Sequence, residues 1–582
     1  MWRNLVCYGK IRVSYTLKIE ILGVNIVKKQ NGFSIKKRVL SIWLVLCFVL
    51  SGCGSENRDF LTLDVFAGRA NYQGMQEGWY AKLVRDKFNL AFNIIAPNVS
   101  GGGNLLFETR LSSGKVGDIV ITSLANMKQC LEEDVLADLS PYIEKTQYLK
   151  NYIEPIKTMN KALGVEKGIY FIPTAMSTMP VTEPILHGDT LEYGSYLPWA
   201  YYKELGYPVI ETKEDLLDVL SQMQANHPQT QDGKKVYGFS LFDDWDVEHM
   251  SLAAHMVKSY GYAVATQSIL TTGDYSKSQR LMEKDSAYYQ VLKLYFEANQ
   301  RGLLDPESGV QSFDTMNAKA QSGQVLYLWW AWMRGYSQDN YHMFIPVSNE
   351  PTICEGFSTY GDGYAYAVGK NTQSVKRIVE FLDWMVSPEG LMYYGAGYEG
   401  LGYEIVDGKP IYTDFSGAAW ENGYELEEEY GGGTYSQGYC QFNDSIVQVK
   451  DTNPLLGEPY HSENWSSTIA NNREAVQTEW SKYFGYMSPI NYLKENNLLQ
   501  VQIKGDFVQE TESADMVMIR TNCGRLVKEY SWELIFAESE EEFDRLWADL
   551  TDLLYQNGYE QIEKADKEIV EKLKQSRENA LK

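Results

Sequence analysis

The stretch Leu61-Thr-Leu-Asp-Val-Phe66 decides the fold class, because it opens an alternation of strands and helices. This stretch and the apolar run Asp118-Ile-Val-Ile-Thr122 are predicted strands, and the second is typical of a strand buried on both faces. Between them, apolar residues at helical spacing predict helices over 79–88 and 105–111. Strands that alternate with helices indicate a parallel sheet of the α/β class.

The rest of the chain continues this mixed pattern. Further strands are predicted at 169–173, 236–241, 324–328 and 364–368, and further helices at 374–386 and from about 561 to the end. Thr212 with Asp215, and Ser539 with Glu542, match the capping box that begins a helix. Residues 416–438 are rich in Gly, Tyr and Glu, which predicts a long loop or insertion.

Residues 1–52 are predicted to be a secretion signal. Basic residues at 36–38 precede an apolar run at 39–50, and Leu50-Ser51-Gly52-Cys53 ends it like a bacterial lipobox. The twelve apolar residues are too few to span a hydrocarbon core of roughly 30 Å. Cys53 is therefore the predicted lipidation site, with palmitate expected, and 53–59 a lipid-anchored linker. A signal-anchor helix or a buried hairpin is the alternative, and a start codon just upstream of the basic run is a further hypothesis.

The chain is acidic, with 77 Asp and Glu residues against 53 Lys and Arg and a formal net charge of −24 at pH 7. This balance argues against nucleic acid as a partner, because such binding depends on neutralising phosphates. It also argues against electrostatic attachment to anionic lipid, so the acyl chains must supply the anchor.

No cofactor or metal site is expected. The six residues from Gly395 to Gly400 match GxGxxG but follow a predicted helix rather than a strand, which favours a glycine-rich turn. His249 and His255 would point to different faces of one helix and could not share a zinc ion. Four cysteines follow Cys53 without a CxxC pair, and they could be free thiols or form any of three pairings: Cys130, Cys354, Cys440 and Cys523.

Three tryptophans, Trp329, Trp330 and Trp332, stand within four residues at the end of a predicted strand. A flat indole can stack on the C–H face of a sugar ring, and burial in the core is the alternative, expected for at least one of them. In an extended strand Trp330 and Trp332 would share one face.

Asp243, Asp244 and Asp246 surround Trp245 at another predicted strand end. Such carboxylates could accept hydrogen bonds from sugar hydroxyls, could serve as the acid and nucleophile of a glycosidase, or could simply form a solvated turn. The residues alone leave these three alternatives open.

The order of the segments resembles that of the extracellular solute-binding proteins of ABC importers, and especially the large carbohydrate-type lipoproteins of Gram-positive bacteria. The segments that carry the resemblance are the lipobox, Leu61–Phe66, Gly117–Ile121, Lys167–Pro173, Ser322–Tyr327, Asn371–Trp384, Ser387–Gly390 and Tyr398–Tyr403. Residues 416–438 have no counterpart in this pattern, which leaves one wall of the expected cleft undefined.

The resemblance implies an α/β, two-lobed periplasmic-binding-protein-like fold with discontinuous lobes joined by crossover strands. The expected first lobe comprises residues 60–173 and about 355–400, and the second comprises 174–354 and about 401–582 with C-terminal helices. Ligand would lie in the cleft, the lobes would close about a hinge, and no catalysis is implied.

The ligand-binding residues implied by the resemblance lie at strand ends that face the cleft. In the first lobe and the crossovers they are Arg69, Asn71, Thr122, Ser123, Asn126, Thr174, Ser177, Tyr360, Asp362, Tyr398 and Glu399. In the second lobe they are Asp243, Asp244, Trp245, Trp330 and Trp332.

The expected function is capture of a carbohydrate, with an oligosaccharide favoured, and its delivery to the permease subunits of an ABC transporter. The expected location is outside the cytoplasm, on the cell membrane through the lipid at Cys53. The alternatives are a secreted hydrolase or lyase of carbohydrates, a binding protein for peptides or other solutes, and a structural surface lipoprotein.

Overall fold

The computed structural model describes residues 59–100, 103–336, 341–413, 424–471, 475–508 and 512–582. The predicted signal and Cys53 lie outside these residues. Within the described part of the chain, no helix combines the length and the apolar character needed to cross a membrane.

The first part of the chain alternates strands and helices, as the sequence predicts. The elements are β1 (Leu61–Ala67), β2 (Gly74–Met75), α1 (Gly78–Phe88), β3 (Leu90–Ile95), α2 (Pro97–Ser100), α3 (Gly103–Ser112), β4 (Ile119–Ser123), α4 (Leu124–Glu132), α5 (Ser140–Ile143), α6 (Ile153–Ala162) and β5 (Phe171–Pro173). The side chain of Ser123 accepts a hydrogen bond from the backbone N–H of Asn126 and thereby caps α4.

The middle part has short strands and two long helices. The elements are β6 (Leu186–His187), β7 (Thr190–Leu191), β8 (Tyr193–Pro198), α7 (Trp199–Glu204), α8 (Lys213–Asn226), α9 (Ser251–Met256), β9 (Ala263–Val264), β10 (Ile269–Thr271), β11 (Ser278–Arg280), α10 (Ala287–Gln300), α11 (Phe313–Gln321), β12 (Leu328–Trp330), β13 (His342–Phe344) and β14 (Thr352–Glu355). Thr212 and Asp215 form the predicted capping box at the start of α8.

The last part is mainly helical. The elements are β15 (Tyr364–Val368), α12 (Val375–Met385), α13 (Pro388–Ala396), β16 (Tyr403–Val406), β17 (Lys409–Tyr412), α14 (Ser466–Asn471), α15 (Ala475–Phe484), α16 (Pro489–Glu495), β18 (Leu499–Gln502), α17 (Ala514–Ile535), α18 (Glu540–Gln556) and α19 (Tyr559–Ala580). Ser539 caps α18, whose buried face consists of the predicted residues Phe543, Leu546, Trp547, Leu550 and Leu554.

A six-stranded sheet in the order β2-β3-β1-β4-β15-β5 forms the centre of the first lobe. Strands β3, β1 and β4 are parallel, as predicted, whereas β15 is antiparallel to both β4 and β5. Ile119 and Ile121 belong to one hydrophobic cluster and Val120 to another, so β4 is buried on both faces.

Separate hydrophobic cores define the two lobes. The core of the second lobe joins residues between Leu191 and Cys354 to residues between Trp480 and Ile562, so the C-terminal helices α17 and α18 are an integral part of it. The first-lobe core includes residues from Tyr403 to Trp465. The expected boundary near residue 401 places these residues in the second lobe, whereas buried residues of 403–413 and 424–465 share a hydrophobic cluster with the sheet of the first lobe.

Two crossover segments, residues 174–185 and 355–363, lie side by side between the lobes. The backbone N–H of Ser177 donates to Ser358 O at 2.8 Å, and that of Ile185 donates to Glu355 O at 2.8 Å. The backbone N–H of Met176 donates to Ile446 O at 3.0 Å, which ties the crossover to the first lobe. These hydrogen bonds make the junction a narrow, paired ribbon.

Some local predictions differ from the structure. The run 236–241 forms only isolated bridges, Tyr237 with Val325 and Phe239 with Leu304, so its apolar residues fill the core without a regular ladder. The glycine-rich turn follows α13 and precedes β16, as predicted. Burial raises the pKa of three of the four free, buried thiols to about 12: Cys130, Cys354 and Cys440.

Candidate ligand-binding cleft

Two cavities lie between the lobes, one lined by Gly361 and Asp362 and the other by the next residue of the same crossover, Gly363. The hinge cavity encloses about 250 Å³ and is lined by Ala175 and Asp362 on one side and by Glu192 and Tyr193 of the second lobe on the other. Because residues of both lobes and both crossovers line it, movement of the lobes would change its shape.

The second cavity, which we call the α4 cavity, encloses about 590 Å³. Ser123 and Leu124 at the start of α4 form its first-lobe wall, whereas Glu248, Gln267 and Arg520 form part of its second-lobe wall. The strand end after β4 therefore faces the second lobe, as expected for a ligand site at the carboxyl edge of an α/β sheet.

Arg69, two residues after β1, joins two carboxylates. Its Nη1 lies 2.6 Å from Asp362 Oδ2 and 2.9 Å from Asp444 Oδ1, and its guanidinium carbon lies 3.6 Å from the centre of the Tyr364 ring. The hydroxyl of Thr174 donates to the other oxygen of Asp362. The structure thus brings together three predicted residues, Arg69, Thr174 and Asp362, and adds Asp444.

The pKa values of the two carboxylates around Arg69 are shifted in opposite directions. The side chain of Asp444 is only 2% exposed, and burial raises its pKa to about 6 despite the nearby charge of Arg69. Burial also opposes ionisation of Asp362, but the charge of Arg69 and the hydrogen bonds from Thr174 and Arg69 prevail and lower its pKa. Asp362, which lines the hinge cavity, therefore stays ionised to a lower pH than Asp444 does.

Thr122, Ser123 and Asn126 form a local group at the end of β4. Asn126 Nδ2 donates to Thr122 Oγ1 at 2.9 Å, and the backbone N–H of Asn126 donates to Ser123 Oγ. Ser123 lines the α4 cavity. Capping explains these contacts, and the same arrangement places polar oxygens beside the cleft.

Two of the predicted binding residues, Ser177 and Tyr360, make hydrogen bonds to residues of the protein itself. Ser177 is 4% exposed and donates to Asp451 Oδ1 at 2.6 Å, so its hydroxyl stabilises the crossover. The backbone N–H of Tyr360 donates to Ser358 Oγ at 3.2 Å, and its side chain packs beside the cluster that covers one face of the sheet.

Five aromatic residues of the second lobe form what we call the aromatic patch: Phe242, Trp245, Phe313, Trp330 and Trp332. Trp245 stacks on Phe313 with centroids 4.5 Å apart and contacts Trp330 edge to face at 5.7 Å. Trp245 is 45% exposed and Trp332 is 36% exposed, whereas Trp330 is buried. Trp329 belongs to the core, as expected for at least one of the three adjacent tryptophans.

Ring contacts through His255 connect the aromatic patch to the hinge cavity. His255 stacks on Tyr193 at 4.8 Å and contacts Trp330 at 5.8 Å, and Tyr193 lines the hinge cavity. Glu248, three residues after Trp245, lines the α4 cavity. Burial, together with the charge of Lys258, lowers the pKa of His255 to about 3, so this imidazole is neutral.

The carboxylates around Trp245 have separate roles. Asp246 accepts hydrogen bonds from the backbone N–H of Ser251 at 2.6 Å and from Trp532 Nε1 at 2.7 Å, which anchors the turn to α9 and α17. Asp244 Oδ2 accepts from the backbone N–H of Phe313 at 2.8 Å. Asp243 and Asp244 are exposed at the tip of the turn beside the aromatic patch.

Paired charges line the hinge cavity. Lys450 Nζ lies 2.7 Å from Glu192 Oε2, and Lys504 Nζ lies 2.9 Å from Glu355 Oε2. The charge of Lys504 lowers the pKa of Glu355 to about 2 although burial opposes it. For Glu192, burial is outweighed by the hydrogen bond from His187 and the charge of Lys450, and its pKa falls.

Three predicted residues lie elsewhere on the first lobe. Tyr398 packs against Trp79 at 6.2 Å and Tyr430 at 5.6 Å, and Glu399 lies in the adjoining turn. Asn71 lines a separate groove of the first lobe. None of the three lines the hinge or α4 cavity.

Sequence reasoning missed several residues that line the cavities: Glu192, Tyr193, Glu355, Lys450, Lys504, Glu248 and Arg520. Three of them, Lys450, Lys504 and Arg520, come from the C-terminal part of the chain. They lie 258, 149 and 253 positions from Glu192, Glu355 and Gln267, which they contact, and no local pattern marks them. Only Tyr193 has a weak local signal for a binding role, because it begins β8 directly after a polar turn.

The two lobes, the paired crossovers and the cleft lined from both sides define a two-lobed binding protein. The family described as bacterial extracellular solute-binding protein matches residues 77–392, more than half of the chain, and the chain belongs to that family. Proteins of this family bind solutes for transport and are not enzymes. No curated protein matches the chain by sequence.

Solved structures show the same fold at low sequence identity. The S. pneumoniae ABC-transporter substrate-binding protein FusA in complex with kestose is 14% identical, with a TM-score of 0.60 over 88% of this chain and 99% of that one. The alginate-binding protein AlgQ2 is 13% identical, with a TM-score of 0.59 over 90% and 99%. A human-milk-oligosaccharide (HMO) binding protein from Bifidobacterium longum infantis is 12% identical, with a TM-score of 0.56 over 87% and 97%.

Proposed function

We propose that this protein captures an oligosaccharide in the interlobe cleft and delivers it to an ABC transporter permease. The observation that carries the proposal is the aromatic patch, which has two exposed tryptophans, Trp245 and Trp332. Its buried member Trp330 contacts His255, which stacks on Tyr193 at the wall of the hinge cavity. The FusA and HMO-binding structures, whose names include oligosaccharide ligands, support the same class of solute.

Trp245 is the residue best placed to stack on a sugar. Phe313 supports one face of its ring at 4.5 Å, and its 45% exposure leaves a flat apolar surface for a ligand. Binding is favoured because a sugar face that covers an exposed indole removes apolar surface from water. Trp332, 36% exposed, extends this surface.

Hydroxyl groups of the sugar would pair with the polar residues around the cleft. Asp362 and Arg69 offer an ionised acceptor and a donor on the first lobe, while Asp243 and Asp244 offer acceptors on the second. Pairing is required because a buried, unsatisfied polar group costs about 1–3 kcal/mol. Contacts from both lobes would favour a closed form, since only a difference in affinity between two states can drive closure.

The test of this function is calorimetric titration of the purified protein with neutral malto-, fructo-, galacto- and manno-oligosaccharides and with short peptides. We expect one of the oligosaccharide series to bind, and Trp245→Ala to weaken that binding by more than about tenfold. Tyr555→Ala is the matched control, because Tyr555 is 41% exposed on α18. Binding of peptides alone would refute the proposal, and so would equal losses in the two variants.

We propose further that lipid at Cys53 holds the protein on the outer side of a Gram-positive cell membrane. The lipobox residues 50–53 support this, and the acidic composition leaves acyl chains as the means of attachment. Cys53→Ala should move the protein from the membrane fraction to the medium and abolish labelling by a palmitate analogue. Cys47→Ala, in the same signal, should leave both unchanged.

A further inference from the structure

A polar groove lies on the first lobe, apart from the hinge and α4 cavities. This outer groove encloses about 490 Å³. One wall comes from the segment after β1 and includes Asn71, Tyr72 and Glu77. The other comes from residues 424–441, which we call the glycine-rich segment, and includes Thr434 and Gln437.

The glycine-rich segment is held firmly against α1. Trp79 Nε1 donates to Tyr435 O at 2.9 Å, and the backbone N–H of Tyr80 donates to Gly438 O at 3.0 Å. A Cβ atom on Gly78 would lie only 2.6 Å from the Cα of Gly438, so the two backbones touch. The wall is therefore preorganised, and a ligand would lose little affinity by ordering it.

Each wall of the outer groove includes a residue two positions from the network around Arg69. Asn443 Nδ2 donates to Arg69 O at 3.0 Å, and Asp444 Oδ1 lies 2.9 Å from Arg69 Nη1. Asn71 is two residues beyond Arg69, and Gln441 is two residues before Asn443, so both walls of the groove are close in sequence to this network. A chain held at Arg69 and Asp362 could therefore extend into the groove.

The side chains of the outer groove suit a neutral sugar. Asn71, Gln437 and Gln441 carry amides, each able to donate to one hydroxyl and accept from its neighbour, and Thr434 adds a hydroxyl. Tyr72 supplies an aromatic ring, and its hydroxyl donates to Met75 O. The lining residues include Glu77 but neither Lys nor Arg, so nothing in the groove would neutralise an anionic sugar.

We propose that the outer groove is a second carbohydrate subsite, built by the glycine-rich segment, that binds the distal units of a long neutral oligosaccharide. The inference rests on the proposed function, because the proximal units would occupy the interlobe cleft. It assigns a role to a segment for which the family resemblance offers no counterpart.

The test compares short and long members of the oligosaccharide series that binds, from the trisaccharide to the heptasaccharide. Wild-type protein should bind the heptasaccharide more tightly than the trisaccharide. Gln437→Ala should weaken heptasaccharide binding by about fivefold, the effect of one lost hydrogen bond, and leave trisaccharide binding unchanged. Gln556→Ala, an exposed glutamine at the end of α18, is the matched control and should alter neither.

Hydrogen exchange of the wild-type protein gives a second measurement that needs no variant. The heptasaccharide should slow exchange within residues 424–441, and the trisaccharide should not. If the trisaccharide binds but length and Gln437→Ala have no effect, the subsite is refuted while the proposed function stands. If no oligosaccharide binds, both are refuted.

Discussion

Arg69 Nη1 lies 2.6 Å from Asp362 Oδ2, and this ion pair connects the loop after β1 to the crossover that returns from the second lobe. Asp444 holds the same guanidinium from the buried side at 2.9 Å. The side chain of Asp362 is 29% exposed and lines the hinge cavity, so a ligand would meet a carboxylate whose position is already fixed.

Asp362→Asn should weaken oligosaccharide binding by about tenfold, because a neutral amide makes weaker hydrogen bonds to hydroxyls than a carboxylate does. Arg69 keeps Asp444 as its partner, so folding should change little. Asp86→Asn is the control, because it also breaks an ion pair, between Lys82 and Asp86 on the exposed face of α1. Titration calorimetry checks both variants, and similar affinities would contradict the role of Asp362.

Substitutions at Trp329 and Trp332 should have different effects, the first on protein stability and the second on ligand affinity. Trp329 is 2% exposed in the second-lobe core, so Trp329→Phe should lower the free energy of unfolding by about 1–3 kcal/mol with little effect on affinity. Trp332 is 36% exposed, so Trp332→Ala should weaken binding with little change in stability. Urea unfolding and calorimetry on both variants check this, and the reverse pattern would place the ligand elsewhere.

The cleft should select neutral over acidic sugars. The Lys and Arg residues that line the two described cavities are all engaged by carboxylates: Lys450 by Glu192, Lys504 by Glu355, and Arg520 by Glu512 and Asp566. An anionic sugar would have to break one of these pairs or stay unpaired, which is costly. We expect a uronic-acid analogue to bind more than about tenfold more weakly than its neutral counterpart. Equal affinities in a direct competition experiment would overturn this expectation.

Asp246 should make the stability of the second lobe depend on pH. Burial raises its pKa to about 6 from an ordinary 3.8, so the folded protein binds this proton more tightly than the unfolded chain does. Its stabilising contribution is therefore complete below pH 3.8 and is lost as the pH rises through about 6.

Asp246→Asn removes this titration and retains one of the two acceptor oxygens, which now serve Ser251 and Trp532 separately. Between pH 4 and pH 7.5, wild-type stability should fall by roughly 2 kcal/mol relative to the variant. Urea unfolding at both pH values measures the difference. Parallel pH profiles would show that Asp246 titrates normally.

Gly78→Ala should destabilise the protein more than a glycine-to-alanine change at a position with no neighbouring atoms. Gly78 has φ +83, and an added Cβ would lie 2.6 Å from Gly438. Gly485 has a similar φ of +78 with nothing within 4 Å, so Gly485→Ala isolates the backbone strain, about 1 kcal/mol. The unfolding free energy of Gly78→Ala should fall by about 2–4 kcal/mol, since the glycine-rich segment must move. Equal losses would mean that the two backbones are not in contact.

The sequence by itself determined the class and many local elements. Apolar periodicity located β1, β4, β15, α12 and the buried face of α18, because a strand or helix must hide one face from water whatever its neighbours are. The order of the segments determined the family to which the chain belongs. It also pointed to strand ends such as Arg69, Thr174 and Asp362, which the fold does bring together.

Only the tertiary structure decided which distant residues share a site. Lys504 pairs with Glu355, Arg520 pairs with Asp566, and buried residues of 403–413 and 424–465 pack in the first lobe. Ion pairing and side-chain packing carry no local sequence pattern, because each residue needs only a complementary partner and the chain can supply it from any position. For the same reason no local pattern predicts the outer groove, which forms where the glycine-rich segment packs against α1.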